Sequence, residues 1–334
     1  MAMEDRTDVS DIIQMDCLAE ATRLEGSVKE SVLGRMRKKG VVIGLSGGLD
    51  SSVCASICVN AIGKNKVLGL FMPERETKDD TNRLGSLMAD HLEIDTITED
   101  MTSLLESAGC YARRDRAIRE IFEGYSEGWK CKVFLPPITE NDRLNVSQLV
   151  VQSPEGNVQK KRMTTSAYLT IIASSNFKQR TRKMMEYYHA DRLNYAVVGT
   201  PNRLEYELGF FVKNGDGAAD LKPIAHLYKS QVYQLAEHYG VPKEIIQRTP
   251  TTDTFPMEQT QEEFFFSLPL RTMDLALFCY NNGYPPEKLS EITGLTVDKA
   301  RFVLKDIEQK KRSTSYLHMR PEIFGNIELY EGPI

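Results

Sequence analysis

The sequence predicts an α/β fold, a parallel five-stranded sheet sandwiched by helices, and three observations lead to it. Short apolar runs at Val41-Val42-Ile43-Gly44-Leu45, Val67 to Met72, Ile94 to Ile97 and Tyr195-Ala196-Val197-Val198 have the length and composition of buried strands. Helical stretches from about Asp50 to Ile62, Lys78 to His91, 104 to 126 and Thr164 to Ala190 separate them. A glycine-rich turn joins the first strand to its helix. Strands that alternate with helices in this way build a parallel sheet covered on both faces.

Each further element follows from local pattern. Residues 10 to 38 place Ile12, Ile13, Met15, Leu18, Ala21 and Leu24, then Val28, Val32, Leu33 and Met36, at helical spacing, which makes residues 1–38 an N-terminal helix ahead of a main domain at 39–334. Between Lys130 and Gln159 the character changes: Pro136-Pro137, alternating Val146, Leu149 and Val151, a Pro154-Glu155-Gly156-Asn157 turn, and Val158 before Lys160-Lys161-Arg162. This reads as a β-hairpin-like insertion at approximately 128–163, longer than an ordinary connection between strands. Beyond the fourth strand come a glycine-rich stretch from Gly209 to Gly217, a helix from about Tyr228 to Tyr239, and a helical C-terminal part at 260–334.

Composition excludes several function classes. The chain has 334 residues, 41% apolar and 27% charged, enough to bury a large core. A net charge of −5 gives no global basic field of the kind that neutralises phosphates along a nucleic acid. The segment from Glu287 to Arg312 mimics a helix-turn-helix followed by a basic helix, and the acidic whole speaks against that use. Six cysteines without a C-x-x-C pair, beside five histidines, indicate neither a zinc site nor a disulfide framework, and reduced thiols fit a cytoplasmic protein. Residues 1–30 lack the basic flank and apolar stretch of a secretory signal, and no apolar run of about eighteen residues occurs, so no membrane partner is expected.

The sharpest chemical signal is Gly44-Leu45-Ser46-Gly47-Gly48-Leu49-Asp50-Ser51-Ser52, placed between a buried strand and a helix. Such a turn presents backbone N–H groups, with the Ser46 and Ser51 hydroxyls, at a helix amino terminus whose partial positive charge favours an anion. It is suited to hold a phosphate. There is no G-x-x-x-x-G-K-[ST] loop anywhere in the chain, which disfavours kinase or GTPase chemistry.

S-G-G-x-D-S after a strand resembles the pyrophosphate loop of the N-type ATP pyrophosphatases, in which the loop grips the pyrophosphate that leaves when a substrate oxygen attacks the α-phosphorus of ATP. The segments Asn176 to Arg182, Val198-Gly199-Thr200-Pro201-Asn202-Arg203-Leu204-Glu205, Gly209 to Asp220, Pro223-Ile224, Leu227-Tyr228-Lys229 and Pro250-Thr251-Thr252-Asp253 resemble, in order and register, motifs of the NAD synthetases within that superfamily. The resemblance implies a Rossmann-like fold of the adenine nucleotide alpha hydrolase kind. It implies an ammonia-dependent ligase that uses ATP to amidate deamido-NAD through an acyl-adenylate, with release of AMP and pyrophosphate.

The resemblance also implies roles for particular residues. ATP falls to Gly44, Leu45, Ser46, Gly47, Gly48, Leu49, Asp50 and Ser51, with Thr200, Lys229 and Thr251. Asp50 and Glu205 become ligands of Mg²⁺, a cation that prefers hard carboxylate oxygens. Lys229 is matched to the departing pyrophosphate, where charge grows in the transition state, so that Asp50 and Lys229 carry the catalysis. Arg180, Lys213 and Asp220 match contacts to deamido-NAD, whose diphosphate and carboxylate call for cations, and Lys310 and Lys311 with Arg312 stand where the family has His-Lys-Arg.

Three departures qualify the acceptor. After Thr251 the chain reads Thr252-Asp253-Thr254 and then Phe264-Phe265-Phe266-Ser267-Leu268-Pro269, in a region expected to fold over the site; the insertion is long; and the C-terminal imidazole is replaced by Lys310. These motivate an alternative acceptor, a sugar acid or natural-product acid amidated by a paralogous ligase. Only 43 residues precede Gly44, so the expected nitrogen source is free ammonia or a separate glutaminase. A homodimer is the implied assembly.

Overall fold

The computed structural model describes residues 13–136, 147–252, 254–325 and 327. Ile12, Pro137, Val146 and Asp253, each named in an expectation above, lie outside the described residues, as do 326 and 328–334. Four parallel strands form the main sheet in the order β3-β2-β1-β7: β1 Val41–Gly44, β2 Val67–Phe71, β3 Asp95–Thr98 and β7 Ala196–Val197. Next to β7, the position of a fifth strand is held by a single parallel bridge from Val198 to Leu221. Its shortness has a local cause, since the Asp220 carboxylate accepts the Val197 N–H at 2.7 Å in place of a continued ladder.

Helices cover both faces. On one, α1 Cys17–Lys29, α2 Leu49–Ile62 and α8 Lys229–His238 pack with the sheet through Leu24, Val28, Val53, Ile57, Val232 and Leu235. The opening helix begins later than its apolar spacing suggests because Asp16 caps it, accepting the Ala19 N–H at 3.0 Å; it then continues as a wider turn, Glu30–Arg35. α2 carries almost no amphipathic contrast, with Ser51 to Cys58 buried on every side, as expected of a helix enclosed by its sheet and neighbours. The other face carries α6 Thr165–Leu193, 29 residues long, with Val42, Leu70 and Val197 packed near Ala190. The helical stretch expected at 104–126 breaks into α4 Thr102–Ser107 and α5 Cys110–Arg119, because Gly109 between them adopts φ +71°.

The insertion is a separate antiparallel sheet of three strands, β4 Lys130–Phe134, β5 Gln148–Gln152 and β6 Val158–Arg162. Cys131, Val133, Leu149 and Val151 share its inner face and bury against Ile171 of α6 and Phe255. Three C-terminal helices, α10 Leu270–Asn281, α11 Pro286–Thr293 and α12 Val297–Thr314, form a second core around Met273, Leu277, Leu289, Val303 and Ile307. The helix-turn-helix mimic is therefore the α11–α12 pair, with its apolar side buried against α10. Among the described residues, no helix is long and apolar enough to cross a membrane.

Candidate active site

A cavity of 290 Å³ opens over the carboxyl ends of β1 and β2, where a parallel sheet of this kind characteristically binds ligands. Its floor is the turn from Gly44 to Ser51. Gly48 caps α2 without a side-chain acceptor, so the first-turn N–H groups are not claimed by a capping side chain. Gly47 adopts φ +64°, and a Cβ there would meet the Thr81 carbonyl oxygen at 2.7 Å and Leu84 Cβ at 2.8 Å; only glycine lets the turn press this closely on α3, Asp79–Leu92. The Ser46 and Ser51 hydroxyls lie 3.2 Å apart, and Arg248, which also lines the cavity, donates to the Gly47 carbonyl at 3.3 Å and to Thr81 Oγ1 at 2.9 Å.

Two carboxylates and one lysine stand at the cavity wall. Lys229 is 2% exposed, and its ammonium hydrogen-bonds Asp50 Oδ2. Burial works against that charge, but Asp50 and Glu205 outweigh it and raise the lysine's pKa. The lysine begins α8, whose first two N–H groups are both accepted by Asp274, at 3.0 Å from Lys229 and 2.7 Å from Ser230. Asp274 is 0% exposed, and burial pushes its pKa up to about 6 against those hydrogen bonds.

Glu205 is fixed by a capping box: Asn202 Oδ1 accepts the Glu205 N–H and Glu205 Oε2 accepts the Asn202 N–H, both at 3.2 Å, at the start of α7, Arg203–Leu208. Asn202 also donates through Nδ2 to Asp50 Oδ1 at 3.2 Å, tying the two carboxylates together. Loss of solvation, with the adjacent Asp50 charge, pushes Glu205 up to about 8, while Lys229 and hydrogen bonds from Asn202 and Gln261 pull it down. A buried carboxyl held against ionisation beside a second carboxylate presents what a small hard cation relieves. Among the described residues no third acidic, histidine or cysteine ligand joins them, so Mg²⁺ would complete its shell with water and phosphate oxygens, as it ordinarily does. The donor set fits the metal.

The structure thus brings Asp50, Glu205, Lys229, Thr200 and Thr251 to one cavity with the turn residues Gly44, Leu45, Ser46, Gly48, Leu49 and Ser51. Six other expected residues do not line it: Gly47, which presses on α3 instead, and five from the substrate side. Lys310 pairs with Asp306 at 2.6 Å and Lys311 with Glu207 at 2.7 Å, both on the α12 side of the molecule. Arg180 donates to the Lys213 carbonyl at 3.3 Å, Lys213 donates to the carbonyls of Tyr316 and Met319 at 2.9 and 3.3 Å, and Asp220 is engaged at β7. Folded back by those Lys213 bonds, the chain after α12 seats the His318 ring 5.2 Å from that of Phe211, a cavity-lining residue. His318 therefore sets an imidazole beside a cavity-lining residue, whereas Lys310, which stands where the family has its histidine, does not line the cavity.

Sequence reasoning also missed a buried pair at the far side of the cavity, where Lys183 Nζ donates to Glu186 Oε2 at 2.5 Å near Asp216. Burial raises the pKa of both carboxyls, Lys183 opposing it in each. No motif flagged this pair. Asn202, by contrast, was legible as the cap of an Asn-x-x-Glu box.

Comparison with known proteins gives this geometry a family. The NAD synthase family profile matches residues 20–124 and 139–316. The NH(3)-dependent NAD(+) synthetase of Mesorhizobium japonicum is 53% identical over 310 residues, covering 93% of this chain and 97% of that protein, and that of Rhizobium meliloti is 51% identical with 96% of each covered. Among solved structures, the NH3-dependent NAD synthetase of Campylobacter jejuni superposes with a TM-score of 0.62 at 20% identity, over 93% of this chain and 100% of the other. NMN synthetase from Francisella tularensis gives 0.61 at 20% identity with the same coverage, a likeness of fold. With a matched profile across most of its length and relatives above 50% identity end to end, the chain belongs to the NAD synthase family.

Proposed function

We propose that this chain converts deamido-NAD, ATP and ammonia to NAD, AMP and pyrophosphate by way of an acyl-adenylate. The observation that carries the reading is the convergence, in one cavity, of the Gly44–Ser51 turn, the Asp50–Glu205 pair and Lys229 in a chain whose full-length relatives are named as NH(3)-dependent NAD(+) synthetases. In this reading the N–H groups of the turn and of α2 bind the β- and γ-phosphates, with Thr200 and Thr251 as further hydroxyl donors. The ionised carboxylate of the substrate attacks the α-phosphorus and needs no general base. Lys229, desolvated and charged, neutralises the pyrophosphate as it departs. Mg²⁺ held by Asp50 and Glu205 would supply charge neutralisation of the triphosphate.

Arg180 and Lys213 are tied to the segment that carries His318 beside Phe211, and we read that cluster, together with Asp220, as the seat of the dinucleotide substrate. Homodimerisation is supported by one side of α6, where Leu169, Met184 and Tyr188 are each more than half exposed on a single long helix. Residues 39–334 are read as one ligase domain and cytoplasm as its compartment.

Purified protein given Mg²⁺, ATP, ammonium and deamido-NAD is expected to form NAD, AMP and pyrophosphate in equal amounts. A preparation that releases AMP with a different carboxylate from a panel, and none with deamido-NAD, would overturn the acceptor and leave the ligase chemistry standing.

A further inference from the structure

The inserted sheet has a second contact besides α6. The edge of β4 opposite β5 is covered by the segment 255–263: Met257 N–H donates to the Cys131 carbonyl at 3.2 Å, Gln259 Nε2 donates to the Val133 carbonyl, and Leu135 N–H donates to the Glu263 carbonyl at 2.8 Å. Lys132 adds bonds to the Glu258 carbonyl at 3.0 Å and the Glu263 carboxylate at 2.9 Å. Phe255 and Phe264 meet edge to face and enter the core formed by Leu149, Val151 and Ile171. The same segment turns back on the ATP-side threonines: Thr252 N–H donates to the Gln259 carbonyl at 2.9 Å, Thr251 bridges Thr260, and Gln261 N–H donates to the Pro250 carbonyl at 3.2 Å.

Gln261 is the residue this double attachment delivers to the cavity. Its Nε2 donates to Glu205 Oε1 at 2.9 Å, on the carboxylate oxygen that the capping box leaves unbound. Its own amide oxygen is buried and has no hydrogen-bond partner among the described residues. A buried acceptor left open beside two carboxylates calls for a donor from outside the chain, and the water shell of a hard cation supplies such O–H groups.

We propose that Gln261 is a positioning residue that orients Glu205 toward the divalent cation, and that the inserted sheet is the brace that keeps it there. The proposal rests on the reading that Asp50 and Glu205 hold the cation. A group that fixes a ligand's orientation without itself being a ligand typically carries about tenfold or more of a site's metal affinity.

The test is Mn²⁺ binding to the full-length protein without ATP or substrate acid, since ATP would itself chelate the ion, followed by the electron paramagnetic resonance of free Mn²⁺. Gln261→Leu is expected to weaken binding by about tenfold while melting like the wild type, and Lys132→Met by a smaller factor in the same direction. Mn²⁺ affinity in Gln261→Leu within twofold of wild type would overturn the role of Gln261. A normal affinity in Lys132→Met beside a weakened Gln261→Leu would overturn the brace. Asp50→Asn separates this inference from the reading beneath it: if that variant binds Mn²⁺ as tightly as wild type, the cation assignment itself fails; if it loses binding and Gln261→Leu does not, only the present inference fails. Should Gln261→Leu fold poorly, Gln261→Asn, which keeps the amide but shortens its reach, is expected to fall between the two, and equality with wild type would count against the proposal.

Discussion

Two buried charge clusters lie on either side of the β1–β2 carboxyl ends, and they are built on opposite principles. In one, Glu74 and Glu76 face Lys178 and Arg114: Lys178 bridges both acids at 2.9 and 2.7 Å, and Arg114 grips Glu76 with two bonds of 2.8 Å. Arg114 also binds Asp115 at 2.9 Å and Arg75 lies 3.9 Å from Glu76, so among the described residues three carboxylates meet three cations there. Burial opposes the Glu76 charge, yet Arg114 and Lys178 hold its carboxyl down at about 2. In the other, Asp50 and Glu205 share a single cation among the described residues, Lys229, and Glu205 is pushed the other way, up to about 8. Balanced charge in a dry interior is scaffolding; a deficit of one cation in a cavity is a place for a reactant. Burial is common to both clusters, so burial alone does not distinguish them.

The largest effect that would sharpen this contrast is on folding. Lys178→Met leaves the buried Glu74 without a cation and Glu76 with Arg114 alone, and is expected to cost about 3–5 kcal/mol by urea unfolding. A loss below about 1 kcal/mol would break the comparison, since it would mean the balanced cluster is not structural. Next, Lys229→Ala and Asp50→Ala are each expected to lower turnover by about 10²–10³ with a folded circular dichroism spectrum. Near-wild-type rates in either variant would show that the roles are misassigned.

A third test uses acid. A carboxyl depressed on folding contributes stability that is complete above its unfolded value of 4.5 and is lost as pH falls through its folded value of about 2. Wild-type stability should therefore decline across that window, and Glu76→Gln should be less stable at neutral pH but flatter below 4.5. Parallel curves for the two proteins would remove Glu76 from the account. The smallest expected effect is at Asp274, which seats Lys229 from below: Asp274→Asn should cost about 1 kcal/mol through the α8 amino terminus and lower turnover more than stability, read as a fall in kcat with little change in melting.

The parts of this architecture that were legible in the sequence are local ones. The strand, turn and helix around Gly44 to Ile62 announce themselves because a continuous apolar run, a glycine pair and a helical stretch follow each other directly. Thr200 and Glu205 are readable from the family-like segment Val198 to Glu205, a short stretch between a strand end and a capped helix that needs no distant partner to be recognised. What stayed hidden is what sequence-distant segments decide. Asp274 reaches Lys229 across 45 positions, and Gln261 reaches Glu205 across 56. Lys310 stood in the expected basic motif and faces Asp306, whereas His318 arrives beside Phe211 only because the chain after α12 makes a short turn, Ser315–His318, and is then tied back by Lys213. The fifth strand failed for a similar reason, a side chain from Asp220 answering a backbone donor that a ladder partner would otherwise take.

The outer strand of the inserted sheet, Val158–Arg162, is exposed at all five residues, and among the described residues its edge away from β5 has no strand partner. A bare rim of this sort invites a strand from another molecule to add on and seed precipitation. Three consecutive positive side chains, Lys160, Lys161 and Arg162, guard it, and two like-charged copies approaching edge to edge would repel before their backbones could zip together. Neutralising those three by substitution should therefore leave the catalyst intact when dilute and make concentrated stocks turn cloudy.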